Sequence, residues 1–222
     1  MLRLLYARAG QDIRGELLER MGRSKARRRL LLVPEQYSHE SERAMCAALG
    51  GASMECEVLS FTRLAGRLAD AAGGGAAPML DAGGRMLLMY AALRQAADGL
   101  TAYRAPSRNP AFLTGLLATV DECRAYRVEP DKLIAAGEEL GGRQGEKLRD
   151  LGLIYAAYQQ LEGAGRADPR SRLDRLAAQL ERTRWAEGMA FFVYGFTDFT
   201  PQEEGVLSAL MAQGELTAAF VC

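Results

Sequence analysis

Histidine is nearly absent from this sequence, and cysteine is sparse. The one histidine, His39, argues against metal sites built from histidine clusters and against most histidine-dependent catalytic triads. The cysteines, Cys46, Cys56, Cys123 and Cys222, are widely spaced, and no CxxC pair indicates zinc or a redox couple. This pattern is typical of a reduced, cytosolic chain without a bound metal.

Net charge and long apolar runs are also lacking. The 28 basic side chains balance 28 acidic ones, so a site for nucleic acid would have to be a local patch. No run of about 18 apolar residues could span a bilayer, and no signal peptide is recognisable. We therefore expect a cytoplasmic protein with no membrane partner. With 49% hydrophobic residues among 222, the chain can bury a substantial core.

Short apolar runs alternate with helical periods at both ends of the chain. The runs are too short for helices and are bounded by Gly, charge or Pro, which predicts buried strands. Strands are predicted over residues 2–7, 29–34, 56–61, 189–196 and 216–222. Helices are predicted over residues 11–21, 38–49, 63–72 and 201–211, with the glycine-rich segment 73–78 ending the third. The alternation predicts a parallel α/β sheet.

The middle of the chain shows helical periods and no convincing strand. Helices are predicted over 85–97 and 110–126, around Leu148–Tyr158, and from the N-cap Asp168 with Pro169 at the first helical position. We therefore expect three parts. These are the first part of an α/β domain over 1–78, a helical insertion over 79–188 and a return to the α/β domain over 189–222. Because the chain ends within an apolar run, we expect a piece of a longer polypeptide.

The stretch LLYARAGQDIRGELL, residues 4–18, has the strand, glycine and helix order of a phosphate-binding loop. A working loop reads GxxxxGK[ST], where Lys reaches the phosphates and the hydroxyl holds Mg²⁺. Ile13 and Arg14 stand at the Lys and hydroxyl positions, and Asp12 stands where a glycine is wanted. Within the predicted strand 189–196, Tyr194 and Gly195 stand where motors of this class carry carboxylates. These losses predict no ATP turnover and no catalytic residue, and we assign Asp198, in a turn between two aromatics, no catalytic role.

Three segments follow predicted strands: VPEQYSHESE (33–42), LSFTRLAGRL (59–68) and GFTDFTPQ (195–202). In an open parallel sheet the ligand crevice lies at the carboxyl ends of the strands, so all three would line one edge. Exposed aromatics stack on unpaired bases, and Arg, Gln, Ser and Thr bond phosphates and base edges. The alternative is that Phe61, Phe196 and Phe199 fill the core and Arg63 is an ordinary surface cation.

Taken together and in this order, these segments resemble the N-terminal region of the AddB family, whose members are the second subunit of the AddAB helicase–nuclease. The matching motifs are LLLVPEQYSHESE, EVLSFTRLAGRL, LDAGGR (80–85), GEKLRDLGLIYAAY (145–158) and VYGFTDFTPQE (193–203). The resemblance implies a P-loop NTPase-like fold, namely the RecA-like first domain (1A) of a superfamily 1 helicase. It also implies that the helical insertion corresponds to domain 1B of such helicases.

The same resemblance implies a role in double-strand break repair by recombination. In this family the partner AddA is the translocase that uses ATP and Mg²⁺. The helicase-like part of AddB holds the 3′-ended single strand and scans it for the Chi sequence. The nuclease domain and iron–sulfur cluster of the parent hydrolase belong to a distant C-terminal region. The part seen here would then be no enzyme and would hold no cofactor.

The resemblance also carries over to single residues. Members that retain a phosphate loop show GRxGSGKT, of which this chain keeps Arg8 and Gly10 and departs elsewhere. The proposed DNA-binding residues are Gln36, Ser38, Phe61, Thr62, Arg63 and Phe196. The two aromatics would stack on bases, Gln36 and Arg63 would bond base edges, and Ser38 and Thr62 would meet phosphate. A tryptophan used by some members is Gly66 here.

Two alternatives remain open from the sequence. One is an active P-loop ATPase or helicase domain, which the missing Lys, hydroxyl and acidic pair oppose. The other is a scaffold that docks AddA through its sheet edge and insertion without contacting DNA.

Overall fold

The computed structural model describes residues 1–8, 10–51, 54–71, 79–104, 109–163 and 168–221. The chain divides into two compact units. The sheet unit comprises residues 1–75 and 172–222, and the helical unit comprises residues 76–171. The glycine-rich segment predicted to end the third helix lies outside the described residues, as does Cys222.

Five parallel strands form a single sheet in the sheet unit. They are β1 (Leu2–Ala7), β2 (Arg28–Leu32), β3 (Cys56–Leu59), β4 (Met189–Tyr194) and β5 (Glu215–Val221). Their spatial order is β1-β5-β4-β2-β3, and every neighbouring pair is parallel. The predicted fold class, a RecA-like parallel α/β sheet with a helical insertion, is confirmed. Because all strands are parallel, the segments that follow them emerge at one edge of the sheet.

Helices account for most of the remaining described chain. They are α1 (Ile13–Arg23), α2 (Ser38–Leu49), α3 (Phe61–Ala71), α4 (Ala82–Ala96), α5 (Pro110–Ala125), α6 (Pro130–Leu140), α7 (Gly142–Gly163), α8 (Arg172–Arg182) and α9 (Pro201–Met211). Helices α1 and α2 pack on one face of the sheet, and α3, α8 and α9 pack on the other. Coverage of both faces explains why β2 to β5 read as apolar runs. The prediction that residues 2–7 form a buried strand is wrong as to burial, because β1 lies at the edge of the sheet with Leu2 and Leu4 49% and 46% exposed.

Helix α8 differs from the sequence-based division, which placed residues 79–188 in the insertion. The apolar stripe of α8, Leu176, Ala177 and Leu180, is buried in the same core cluster as Leu64 and Leu68 of α3. The helix therefore belongs to the sheet unit. The amphipathic period of this helix is visible in the sequence, but the surface against which its stripe packs is not.

The helical unit contains α4 to α7 around a core of its own. Met89, Leu93, Tyr155 and Tyr158 are at most 2% exposed in this core. Helix α6 was not predicted, although Pro130 at its first turn is a typical helix start.

Candidate nucleic-acid interface

The N-terminus of α1 is capped by a carboxylate of the chain itself. Oδ1 of Asp12 accepts a hydrogen bond of 2.8 Å from the backbone N–H of Gly15. Before it, the backbone N–H of Arg8 donates to Oε1 of Gln11 at 2.9 Å, and Gly10 has a φ of 92°. Backbone N–H groups at such a terminus are the donors that bind phosphate in nucleotide sites. Here Asp12 supplies the negative charge, so a phosphate would be repelled.

The side chains of Ile13 and Arg14, which follow Asp12, also make contacts away from the loop. Ile13 is 3% exposed and packs in the core between α1 and the sheet. Arg14 bonds Glu40 of α2, and this hydrogen bond is the largest of the effects that raise the pKa of Arg14. Neither side chain can replace the lysine or hydroxyl of a phosphate loop. Ala9, within the predicted loop, lies outside the described residues.

The end of β4 is built around Gly195. Its φ is +84°, and a Cβ there would lie 3.4 Å from both Pro34 Cδ and the Tyr37 ring. The positive φ therefore favours glycine at this position, while an added Cβ would make only ordinary van der Waals contacts. Downstream, Asp198 accepts a hydrogen bond of 3.2 Å from the Thr197 hydroxyl.

The ends of β2, β3 and β4 enclose a cleft of about 390 Å³, here named the first cleft. Its lining residues are Val33, Pro34, Glu35, Gln36, Ser60, Phe61, Thr62, Gly195, Phe196, Thr197, Asp198 and Glu203. The structure thus brings together four of the six predicted DNA-binding residues. All three predicted segments contribute to this cleft, as expected for the carboxyl edge of a parallel sheet.

The four lining residues differ in accessibility. Gln36 and Thr62 are exposed and Phe196 is partly buried, whereas Phe61 is only 6% exposed. The Phe61 and Phe196 rings meet edge to face with centroids 5.5 Å apart. Phe196 is thus the more accessible ring, and Phe61 supports it from the core.

The other two predicted residues are placed differently. Arg63 lies in the first turn of α3, is exposed, and bonds Glu42 at 3.0 Å. Its backbone N–H donates to the Ser60 hydroxyl, which caps the helix. Ser38 is 8% exposed, and within the described ranges its hydroxyl has no hydrogen-bond partner. Neither Arg63 nor Ser38 lines the first cleft.

The charged side chains that line the first cleft are acidic. Glu35 and Asp198 are exposed, and Glu203 is held in the capping box of α9 by Thr200. Carboxylates repel phosphate but accept hydrogen bonds from the exocyclic amino groups of bases. The lining of this cleft therefore disfavours phosphate and offers acceptors to amino groups.

A second cleft of about 530 Å³ adjoins the first and was not predicted. Its lining residues are Tyr6, Tyr194, Gly195, Phe196, Thr197, Ala219, Phe220 and Val221. In the sequence, the aromatics at the ends of β1, β4 and β5 were interpreted only as strand residues. The sequence shows that these aromatics stand near strand ends. It does not show the spatial order of the strands, and only that order places the aromatics in one cleft.

Comparison with known proteins identifies the family. The model of the family described as "ADDB, N-terminal" matches residues 5–222. The chain belongs to the AddB family. Its sequence is 30% identical to a protein of Desulforamulus reducens over 100% of this chain and 20% of that protein. It is 34% identical to a protein of Moorella thermoacetica over 87% of this chain and 17% of that protein.

Both of these AddB relatives are named as a subunit of an ATP-dependent helicase/deoxyribonuclease. A third, from Acetivibrio thermocellus, has the same name and is 31% identical over 100% of this chain and 20% of its own length. The chain therefore spans about a fifth of the length of the curated relatives it matches.

Neither a metal-binding cluster nor a membrane-spanning helix is present in the described parts of the chain. Across those ranges, no three or more His, Cys, Asp or Glu side chains are grouped so as to hold a metal ion. Within the same ranges, no helix combines the length and apolar character needed to cross a membrane.

Proposed function

We propose that this chain is the N-terminal, inactivated-helicase region of an AddB-type subunit, and that it binds the 3′-ended single strand and takes part in Chi recognition. The observation that carries the proposal is a pair of features in one sheet unit. The phosphate loop is blocked by Asp12, while Gln36, Phe61, Thr62 and Phe196 converge on one cleft at the carboxyl edge of the sheet.

In this mechanism unpaired bases enter the first cleft and phosphates stay at its rim. Phe196, supported by Phe61, stacks on a base, and stacking contributes about 1–3 kcal/mol per base. Gln36 and Arg63 bond base edges, and Thr62 bonds phosphate at the rim. Ser38 is buried in the first turn of α2, so it reaches a phosphate only if that turn rearranges.

The remaining activities of such a complex lie outside this region. We propose an AddA-like partner that supplies ATP- and Mg²⁺-driven translocation, and a nuclease domain with an iron–sulfur cluster elsewhere in the AddB-type subunit. The complex would act in the cytoplasm in double-strand break repair by recombination. This region has no catalytic residue and no cofactor of its own in the proposal.

The test is binding of fluorescently labelled single-stranded DNA at low salt. Arg63→Ala is expected to weaken binding about fivefold or more, because a lost base contact costs about 1–3 kcal/mol. Arg23→Ala is the matched control, since Arg23 is also an exposed arginine paired with one glutamate but lies at the last residue of α1. Unchanged affinity after Arg63→Ala, or equal losses for both variants, would contradict the proposal.

An active ATPase would behave differently in the same preparation. Turnover of ATP above background that vanished on changing Arg14 would reveal a working nucleotide site and favour that alternative. Capture of an AddA-like protein without any DNA binding would instead favour a docking scaffold.

A further inference from the structure

Aromatic rings form a continuous series along the carboxyl edge of the sheet. Successive centroid distances are 5.5 Å for Phe61–Phe196, 5.0 Å for Phe196–Phe199, 6.2 Å for Phe199–Phe220 and 6.2 Å for Tyr6–Phe220. The series begins after β3 and ends on β1, so it crosses the whole edge of the sheet. Core packing alone does not require its last member, Tyr6, which is 64% exposed.

The second cleft surrounds the β1 end of this series. Gly195, Phe196 and Thr197 line both clefts, so the two are continuous. Among the described residues, none that lines the second cleft carries a charge, in contrast to the carboxylates of the first. Its polar side-chain groups are the hydroxyls of Tyr6, Tyr194 and Thr197. A surface of this kind suits a flat, uncharged ring with hydrogen-bonding edges, and its lining side chains offer a phosphate no positive charge.

We propose that the second cleft is a further base-binding subsite, which takes an unpaired nucleobase of the strand held in the first cleft. This inference rests on the proposed function. Tyr6 stacks on Phe220 at an interplanar angle of 27° and remains largely exposed, so it can stack on a base as well. The hydroxyls of Tyr194 and Thr197 can bond base edges. Because stacking accepts every base, this subsite extends the bound strand without selecting its sequence.

The occupant follows from continuity with the first cleft. A base that leaves Phe196 meets the second cleft with no intervening charged wall, since the shared residues are Gly195, Phe196 and Thr197. Phe196 is partly buried and lines both clefts, and Tyr6 is 64% exposed in the second, so a base can reach a ring in each cleft. A short DNA single strand would therefore fill only the first cleft, and a longer single strand would reach both clefts.

The experiment compares oligothymidylates of about 4 and about 12 nucleotides, a span covered by single-strand binding modules. Tyr6→Ala is expected to lower affinity for the longer strand about fivefold or more and to leave the shorter one unchanged, while Tyr6→Phe keeps full affinity. Tyr126→Ala is the control, because Tyr126 is 58% exposed in the helical unit and lines neither cleft. A second readout is photocross-linking with iododeoxyuridine-substituted strands, with the cross-linked peptides mapped by mass spectrometry.

The outcomes separate this subsite from the proposed function. Cross-links to Tyr6 or Phe220 with the longer strand only, together with the length-dependent loss, would support the subsite. If Arg63→Ala weakens both strands while Tyr6→Ala weakens neither, the proposed function stands and the subsite is wrong. If neither strand binds the unchanged protein, both proposals fail.

Discussion

At the scale of single residues, Asp168 is a heavily bonded carboxylate of the helical unit. It is fully buried and accepts hydrogen bonds from the Tyr158 hydroxyl at 2.6 Å, Arg85 Nε at 3.0 Å and the backbone N–H of Arg170 at 2.8 Å. Arg124 lies 3.3 Å away. Burial alone raises the pKa of this carboxyl, but these donors and cations outweigh it and lower the pKa below its ordinary value.

Asp168→Asn is therefore expected to lower the free energy of unfolding by about 3 kcal/mol, because it leaves buried cations short of a partner. The contribution of the carboxylate should be complete above its ordinary pKa of 3.8 and be lost as the pH falls through the lowered folded value. Urea unfolding at neutral and acidic pH measures both effects. Asp98→Asn is the control, since Asp98 is exposed in the same unit. An equal loss from both variants would argue against a special role for Asp168.

The sequence identified Asp168 only as a helix N-cap. This capping role is local in sequence, because the Asp168 carboxylate accepts a hydrogen bond from the backbone N–H of Arg170, two residues further along the chain. Its ionic partners come from helices far away in the chain, Arg85 in α4 and Arg124 in α5. No period or motif predicts which distant cation meets which carboxylate, so the cluster could be found only from the fold.

At the scale of elements, α6 and α7 pack through glycines. A Cβ added to Gly137 would lie 2.6 Å from the backbone nitrogen of Arg149 and 2.7 Å from the Gly145 oxygen. A Cβ on Gly152 would lie 2.6 Å from Cγ1 of Ile134. The two helices therefore approach so closely that backbone contacts backbone, and no larger residue fits without separating them.

Gly137→Ala is expected to cost about 1–3 kcal/mol despite the better helix propensity of alanine, because the clash is with backbone atoms. Gly115→Ala in α5 is the matched control. Nothing lies within 4 Å of its added Cβ, so this change should stabilise the unit by up to about 1 kcal/mol. Thermal unfolding followed by circular dichroism measures both. Stabilisation by both substitutions would show that the helices can separate at little cost.

Most elements were predicted from the sequence, but this pair of helices was not predicted as a unit. Helices α2 and α9 begin and end where predicted, since a proline turn or a capping box marks the start of each apolar period. In α6 the glycine that permits close packing, Gly137, weakens the helical signal, and the helix was not predicted. For the candidate site, strand-end segments predicted the first cleft, whereas the second required the spatial order of β1, β5 and β4.

At the scale of the whole molecule, charge balance limits how DNA can be held. With 28 basic and 28 acidic side chains, the chain produces no broad positive field. At the proposed interface Arg63 is paired with Glu42, Arg67 with Glu57, and the first cleft is lined by carboxylates. Affinity should then come mainly from stacking and base contacts and only slightly from phosphate neutralisation.

This charge balance predicts that the affinity for single-stranded DNA depends only weakly on salt concentration. For single strands the logarithm of the binding constant falls with the logarithm of salt concentration by about 0.7 per phosphate contacted. One to three phosphate contacts at the rim would give a slope of about −1 to −2, and Arg63→Ala, which removes a base contact in the proposal, should lower affinity and leave the slope nearly unchanged. Arg23→Ala should leave the slope unchanged. Fluorescence titrations at several salt concentrations measure all three. A slope near −7 would require about ten phosphate contacts, and the strand would then have to follow a basic surface instead of the clefts.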